Sequence, residues 1–416
     1  MSVNSAIDAY LRVLTGSVGR VVLQAVYFYV LVNALSIADY GVFATVLAVG
    51  LIMASGGAFG FSGPLFRAAT MKRRLLGYYL GGLYVYALAS LPGTILLAVA
   101  VHALVLAPYV SLAALLALVV SEVFLWRVID AVDTVNMGSG RYATGAIASL
   151  VGSAARTAAA VAFMAWGDRS LDQWALYYLA GNAVAAALCL ALLQPRVRLR
   201  WSWTLFRARL PQAYSYGVVN LLQTVHLEAD KLLILLLTDQ KTVGIYALSM
   251  RIIDLAAVPV RSFYPIYVQM LMRRRSLRES LSINLRTEAG IAFTMWAAFE
   301  VVILILAYRP NILGPNVAAA YPWFAALAVL APARALMNYH RELFVAANRV
   351  SEFIGIVLIL LVVRVPLLAL LVATTSDMDR WILPLDALAV VMYAVSAAMT
   401  WRLIFGWPAR RVPAAA

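Results

Sequence analysis

Some twelve apolar stretches, each long enough to cross a bilayer as a helix, fill the chain from Gly16 to Phe405 with short connections between them. They run over residues 16–36, 40–63, 75–101, 107–128, 142–166, 173–194, 213–237, 242–270, 287–308, 320–344, 351–374 and 382–405. A hydrocarbon core of about 30 Å takes about 20 mostly apolar helical residues. Lipid offers the backbone no hydrogen-bond partner, so each span must satisfy its own N–H and C=O groups as a helix. With 64% hydrophobic and 12% charged residues among 416, a water-soluble fold could not bury this much apolar surface. The pattern predicts an all-α polytopic membrane protein of about twelve transmembrane helices.

The formal charge of +14 would suggest nucleic acid in a soluble protein, but its placement excludes that reading. With the N-terminus inside, 22 of the 33 Lys and Arg residues fall on the cytoplasmic side, four outside (Arg169, Lys241, Arg309, Arg380) and seven within spans. Such asymmetry is the positive-inside rule, and the inner basic clusters face anionic phospholipid headgroups. Both termini are therefore expected in the cytoplasm. Before the first span, Val3, Ile7, Tyr10, Leu11 and Leu14 share one helical face, which predicts an interfacial lead-in helix and not a cleaved signal. The single cysteine, Cys189, excludes an intrachain disulfide.

Six spans precede the segment Pro195–Leu210 and six follow it. Trp201, Trp203, Leu205, Phe206 and Leu210 alternate there with arginines, a pattern suited to a helix lying in the inner interface. The expected organisation is an N-terminal six-helix bundle over 1–194, a cytoplasmic interfacial linker over 195–212 and a C-terminal six-helix bundle over 213–416. An even count gives both halves the same orientation, as in parallel repeats. Tyr40-Gly41-Val42-Phe43-Ala44 opens the second span and Val243-Gly244-Ile245-Tyr246-Ala247 the eighth, 203 residues apart at the glycines. Basic clusters at Lys72–Arg74 and Arg273–Arg275 close those spans with a spacing of 201.

The run Asp230-Lys231-Leu232-Leu233-Ile234, followed by Gly244-Ile245-Tyr246-Ala247-Leu248-Ser249-Met250-Arg251-Ile252, resembles the bacterial polysaccharide-biosynthesis (O-antigen) flippases of the multidrug/oligosaccharidyl-lipid/polysaccharide exporter superfamily. The entry Ala38-Asp39-Tyr40-Gly41 to the second span and the twelve-span layout fit the same family. The resemblance implies two six-helix bundles around a central cavity. It implies alternating-access transport of an undecaprenyl-pyrophosphate-linked oligosaccharide for surface or exopolysaccharide synthesis, alongside polysaccharide polymerase and export proteins.

Charges within spans are costly in lipid, so they face protein or water and mark function. The eighth span carries Arg251, Asp254 and Arg261 on one face, and the seventh carries Asn220, Thr224, Glu228 and Lys231, widened by His226 and Asp230. The first span aligns Arg20, Gln24 and Tyr27, and the tenth aligns Arg334, Asn338 and Arg341. We read Arg20, Gln24, Lys231, Arg251, Arg261, Arg334 and Asn338 as substrate-binding residues, because the guanidinium fork matches phosphate oxygens. His226, Glu228, Asp230, Asp254 and Glu300 are the candidates for H+ or Na+ coupling. The bland alternative is that Glu228–Lys231 and Arg251–Asp254 are i,i+3 pairs that neutralise each other. Arg156 and Arg364 have no same-helix acidic partner in the sequence.

No phosphate-binding glycine loop, metal-spaced Cys/His cluster or Gly-x-Ser-x-Gly elbow occurs, so the reading is a non-enzyme without metal or cofactor. Two other readings compete with the flippase. An envelope glycan enzyme (polymerase, ligase or glycosyltransferase) would need a larger outer loop than Arg309–Ala319. A small-molecule antiporter of the same superfamily would share the layout. The topology is testable with single cysteines at Ser2, Ser202 and Ala414 in a Cys189→Ser background. An impermeant thiol reagent added outside intact cells should label none of them, and labelling at Ser202 would break the two-half arrangement.

Overall fold

A computed structural model describes residues 3–56, 58–258, 260–261, 264, 281–347, 349–375 and 378–405. The basic cluster Arg273–Arg275, together with Arg278, Pro259, Pro265, Trp407, Arg410 and Arg411, lies outside the described residues, as do the side chains of the lead-in segment 3–18. Every regular element among the described residues is helical. Eight helices are long and apolar enough to span a membrane, and a bent pair makes a ninth. The partition of side chains fits a lipid solvent. Leu96, Leu104 and Leu383 are among the most exposed large apolar side chains, while Glu122, Asn136, Asn182, Glu288 and His340 are buried. The protein is an all-α polytopic membrane protein.

The chain divides into two compact units. The first comprises Gly16–Ala247 with Leu313–Val317. It holds most of α1 (Val3–Ala34), α2 (Ile37–Gly56), α3 (Ser62–Met71), α4 (Leu76–Val101), α5 (Leu112–Val120), α6 (Trp126–Gly138), α7 (Tyr142–Trp166), α8 (Leu171–Leu188), α9 (Trp203–Leu237) and the start of α10 (Gln240–Ala256). A π turn over Ser121–Leu125 joins α5 and α6 into one span. The second span is shorter than the 40–63 read from hydropathy, since α2 ends at Gly56. The segment 195–202 is not helical. It is laid along α4, with the Arg200 N–H donating to the Gly77 carbonyl at 3.1 Å. A β-carbon on Gly77 or Gly81 would strike the Arg198 or Arg200 carbonyl. The interfacial helix expected over Pro195–Leu210 is thus two things, a strand of coil bound to a glycine groove and the first turns of α9.

The repeat seen at Gly41 and Gly244 has a structural cause. Ser36 caps α2, its hydroxyl accepting from Asp39 N at 3.0 Å and donating to the Asp39 carboxylate at 2.6 Å. Asp239 caps α10 in mirror fashion, its carboxylate accepting from Thr242 N at 3.0 Å and from the Thr242 hydroxyl at 2.6 Å. Such reciprocal caps satisfy N–H groups that the first turn leaves unpaired. Both caps sit five residues before the repeat glycine. The two glycines then meet each other. A β-carbon on Gly41 would lie 2.5 Å from the Gln240 carbonyl oxygen and 2.6 Å from Gly244 N, and one on Gly244 would strike the Ile37 carbonyl. At this same end of the unit, Asn316 donates to the carbonyls of Val32 (2.6 Å) and Leu35 (3.0 Å), closing the C-terminus of α1 as unpaired terminal carbonyls require.

The second unit comprises Leu248–Ile312 and Ala318–Ala416 with the start of α1. It contains the rest of α10, α11 (Leu281–Tyr308), most of α12 (Pro315–Ala326), α13 (Leu330–Ala346), α14 (Val350–Thr374) and α15 (Ile382–Thr400), which runs into a π turn over Trp401–Phe405. The single span expected over 320–344 is broken. α12 and α13 meet at 72°, and Pro332, which has no N–H for the Ala328 carbonyl, explains the interruption. Pro92 and Pro366 by contrast lie inside unbroken helices.

Gly41→Ala and Gly244→Ala should each lower the yield of folded protein, measured by fluorescence-detected gel filtration in detergent. Gly290→Ala and Gly355→Ala, where a β-carbon meets nothing within 4 Å, should be neutral or stabilising by about 0.5–1 kcal/mol, the helix-interior cost of glycine.

Candidate functional site

Intramembrane charge in the first unit centres on Glu122. The π turn in the α5–α6 span turns this carboxylate inward, where only 3% of the residue is exposed. Arg156 on α7 approaches it at 2.6 Å, donates through Nε to Asn182 Oδ1 at 2.9 Å, and stacks 3.8 Å from the centre of the Trp126 ring. The Tyr178 hydroxyl donates to the same carboxylate oxygen. Arg156 therefore does have an acidic partner, supplied by another helix. Gly50 packs against the Glu122 side chain, which lets α2 approach the pair closely.

On α9, Lys231 pairs with Glu228, so this i,i+3 contact forms as its spacing allows. Asp230 is buried and accepts from the Tyr246 hydroxyl at 2.5 Å and from Lys231 N at 2.9 Å. His226 is buried on the same helix, and Thr224 shares a hydrogen bond of 2.9 Å with Ser55. Arg20 is exposed on α1 within electrostatic reach of Asp130 and Asp133 on α6, and Gln24 is half-buried one turn on.

In the second unit the alternative Arg251–Asp254 pairing does not form, and Asp254 is met by Arg261 seven residues on and by Arg334 from another helix. Asp254 contacts Arg261 at 2.5 Å and Arg334, from α13, at 3.8 Å. Arg334 also lies 3.0 Å from the Met250 sulfur. Three residues singled out by spacing alone are thus adjacent, while Arg251, Asn338 and Glu300 are half-buried elsewhere on α10, α13 and α11.

A third buried carboxylate was missed by the sequence reading. Glu288 was placed at the mouth of a span beginning at 287, but α11 starts at Leu281 and buries it two turns in. His340, 3.3 Å away, and the donors Asn284, Tyr393 and Trp401 surround it. The signal available was Asn284 and Glu288 at i,i+4 on α11 with Tyr339-His340 on α13. No cluster of three or more metal-ligating side chains occurs among the described residues.

No family model and no curated protein sequence matches the chain. The fold does match solved structures. One is the outward-facing conformation of a multidrug resistance MATE family transporter of the MOP superfamily (14% identity, TM-score 0.66, covering 97% of this chain and 96% of that one). The inward-facing conformation of such a transporter matches at 14% identity and TM-score 0.61, over 98% and 94%. A MOP superfamily transporter from Pyrococcus furiosus matches at 13% identity and TM-score 0.65, over 97% and 94%. At these identities the likeness shows the fold alone, shared with these structures along almost the whole chain.

Removing one member of a buried ion pair strands the other, at about 3–5 kcal/mol. Arg156→Ala should therefore lower thermal stability in detergent sharply. The double change Arg156→Met with Glu122→Gln, which leaves no charge behind, should recover most of the loss.

Proposed function

We propose that the chain is a flippase, moving an undecaprenyl-pyrophosphate-linked oligosaccharide from the cytoplasmic to the outer leaflet by alternating access. The observation that carries this reading is the arginine excess beside Asp254. Between residues 248 and 264, and from 330 to 338, three arginines (Arg251, Arg261, Arg334) accompany one carboxylate, and two of them touch it. A pyrophosphate presents several oxygens that suit the planar guanidinium fork. The reading assigns substrate contacts also to Asn338, Arg20, Gln24 and Lys231, and places the protein in a bacterial inner membrane with both termini cytoplasmic. Polymerase and export proteins would take the glycan onward. An H+ or Na+ gradient would drive the cycle through carboxylates such as Glu228, Asp230, Asp254 and Glu300, with His226.

The fold supports transport by alternating access, since both inward- and outward-facing transporters resemble the chain. It also favours a second reading, a small-molecule antiporter like the multidrug transporters it matches. For the Pyrococcus furiosus protein, reversed polarity of the binding pocket was taken to suggest a different function. The same logic separates the readings here, because an arginine-rich site repels a cationic drug and attracts a lipid pyrophosphate.

Arg334→Ala and Arg20→Ala should each reduce glycan export about tenfold or more at unchanged membrane abundance, as expected for losing a hydrogen bond between charged groups. Asp254 keeps Arg261 when Arg334 is removed, so the carboxylate is not stranded. Lysine should rescue each variant only in part. The measurement is inner-leaflet accumulation of lipid-linked glycan per inserted protein. Normal export by both alanine variants would refute the assignment.

A further inference from the structure

Glu288 and His340 form a pair that none of the substrate contacts above uses. Both are almost fully buried, and the hydrogen-bond pattern around them fixes which atoms carry protons. The Tyr339 hydroxyl donates to Asn284 Oδ1 at 2.6 Å, which leaves the Asn284 amide nitrogen to donate to Glu288 Oε1 at 2.7 Å. Trp401 Nε1, a donor only, reaches the same oxygen at 3.1 Å, and the Tyr393 hydroxyl lies 3.1 Å from Oε2. An oxygen that already accepts twice faces His340 Nε2 at 3.3 Å, so Nε2 carries a hydrogen. The other nitrogen, Nδ1, lies 2.8 Å from the Ser396 hydroxyl. A hydroxyl both donates and accepts. It can donate to a neutral imidazole or accept from an imidazolium without any change of partner.

We propose that Glu288 and His340 together bind one proton, and that its binding and release couple the second unit to a proton gradient. This inference deepens the transporter reading and rests on it. With the proton on Nδ1, the pair is a neutral carboxylate–imidazolium couple, the form an apolar surrounding tolerates. Without it, a carboxylate remains beside a neutral ring. An uncompensated buried charge is costly and must draw in water or a new cation. Among the described residues, the groups facing Glu288 supply no substitute. Asn284 on α11, Tyr339 on α13, Tyr393 on α15 and Trp401 on its π turn are uncharged, Arg286 and Arg402 are exposed, and Arg341 and Arg349 pair with Glu342 and Glu352. Deprotonation therefore opens the seam between α11, α13 and α15, and protonation closes it.

The test uses the full-length protein in detergent or nanodiscs and needs no glycan, so it fails separately from the export assay. Deuterium exchange at the imidazole C2 position, mapped by mass spectrometry, titrates each histidine individually, and the chain has three. Glu288→Gln should move the half-maximal pH of His340 down by about one unit, a tenfold loss of proton affinity. Ser396→Ala, which removes the acceptor for Nδ1 and leaves the carboxylate in place, should move it in the same direction and guards against misfolding of the first variant. Backbone amide exchange in α11, α13 and α15, corrected for its intrinsic pH dependence, should rise as His340 loses its proton. His340→Gln should abolish that rise. A His340 titration unmoved by both variants, or amide exchange indifferent to pH in the wild type, would overturn the proposal.

Discussion

Hydrocarbon gives a carboxylate no hydrogen bonds, so every acid inside the membrane must be answered by donors from neighbouring helices. That requirement organises both units. Glu122 ties its own span to α7 through Arg156 and to α8 through Tyr178. Asp230 ties α9 to α10 through Tyr246, and Glu288 ties α11 to α13 and α15. Apolar contacts cannot do this alone, because lipid tails compete for them on equal terms and carry no direction. Two of the three carboxylates depend on a π turn. One turns Glu122 inward, and the other brings the Trp401 indole to Glu288. Such single-turn insertions recur where a helix must aim a particular side chain.

Close backbone approach is the second constraint, and it explains what the short repeat at Gly41 and Gly244 does. The residues shared by the starts of α2 and α10 are a capping pair and a glycine, and each has a job that few other residues can do. The cap satisfies N–H groups that lipid and headgroups serve poorly. The glycines allow two helices to meet with no side chain between them. Apolar positions between these points tolerate exchange among Leu, Val, Ile and Ala, so the likeness of the two helix starts is confined to the cap and the glycine, 203 residues apart.

Much of the fold was legible because span length, charge asymmetry and helical periodicity are properties of single helices. The polar faces of the first, seventh, eighth and tenth spans could be drawn from i,i+3 and i,i+4 spacing. Spacing within a helix cannot show which face meets which. It offered Arg251 as the partner of Asp254, whereas Asp254 contacts Arg261 and Arg334. It left Arg156 without an acid, whereas Glu122 lies 34 residues earlier on another helix. Glu288 escaped for a different reason. Hydropathy falls at the start of the ninth span before the helix does, so a residue two turns inside α11 read as a boundary residue. The break between α12 and α13 was legible only as Pro332, since a proline marks where a helix can bend and not by how much.

The two arginine–carboxylate arrangements differ in a way that bears on the proposed transport. Arg156 is matched to Glu122, hydrogen-bonded to Asn182 and held against Trp126, so any competing anion would have to displace three contacts from a sealed site. Asp254 is looser. Its two arginines sit at unequal distances, and the Arg261 side chain is 48% exposed. An incoming pyrophosphate could take over Arg261 and Arg334 with its own oxygens, leaving Asp254 partnered through whichever arginine it retains. Exchange of one anion for another costs far less than uncovering a bare cation, because the guanidinium groups stay paired throughout. Under the proposed function, the Glu122 cluster therefore holds the first unit rigid, and the Asp254 cluster is the part of the second whose partners can change during a cycle.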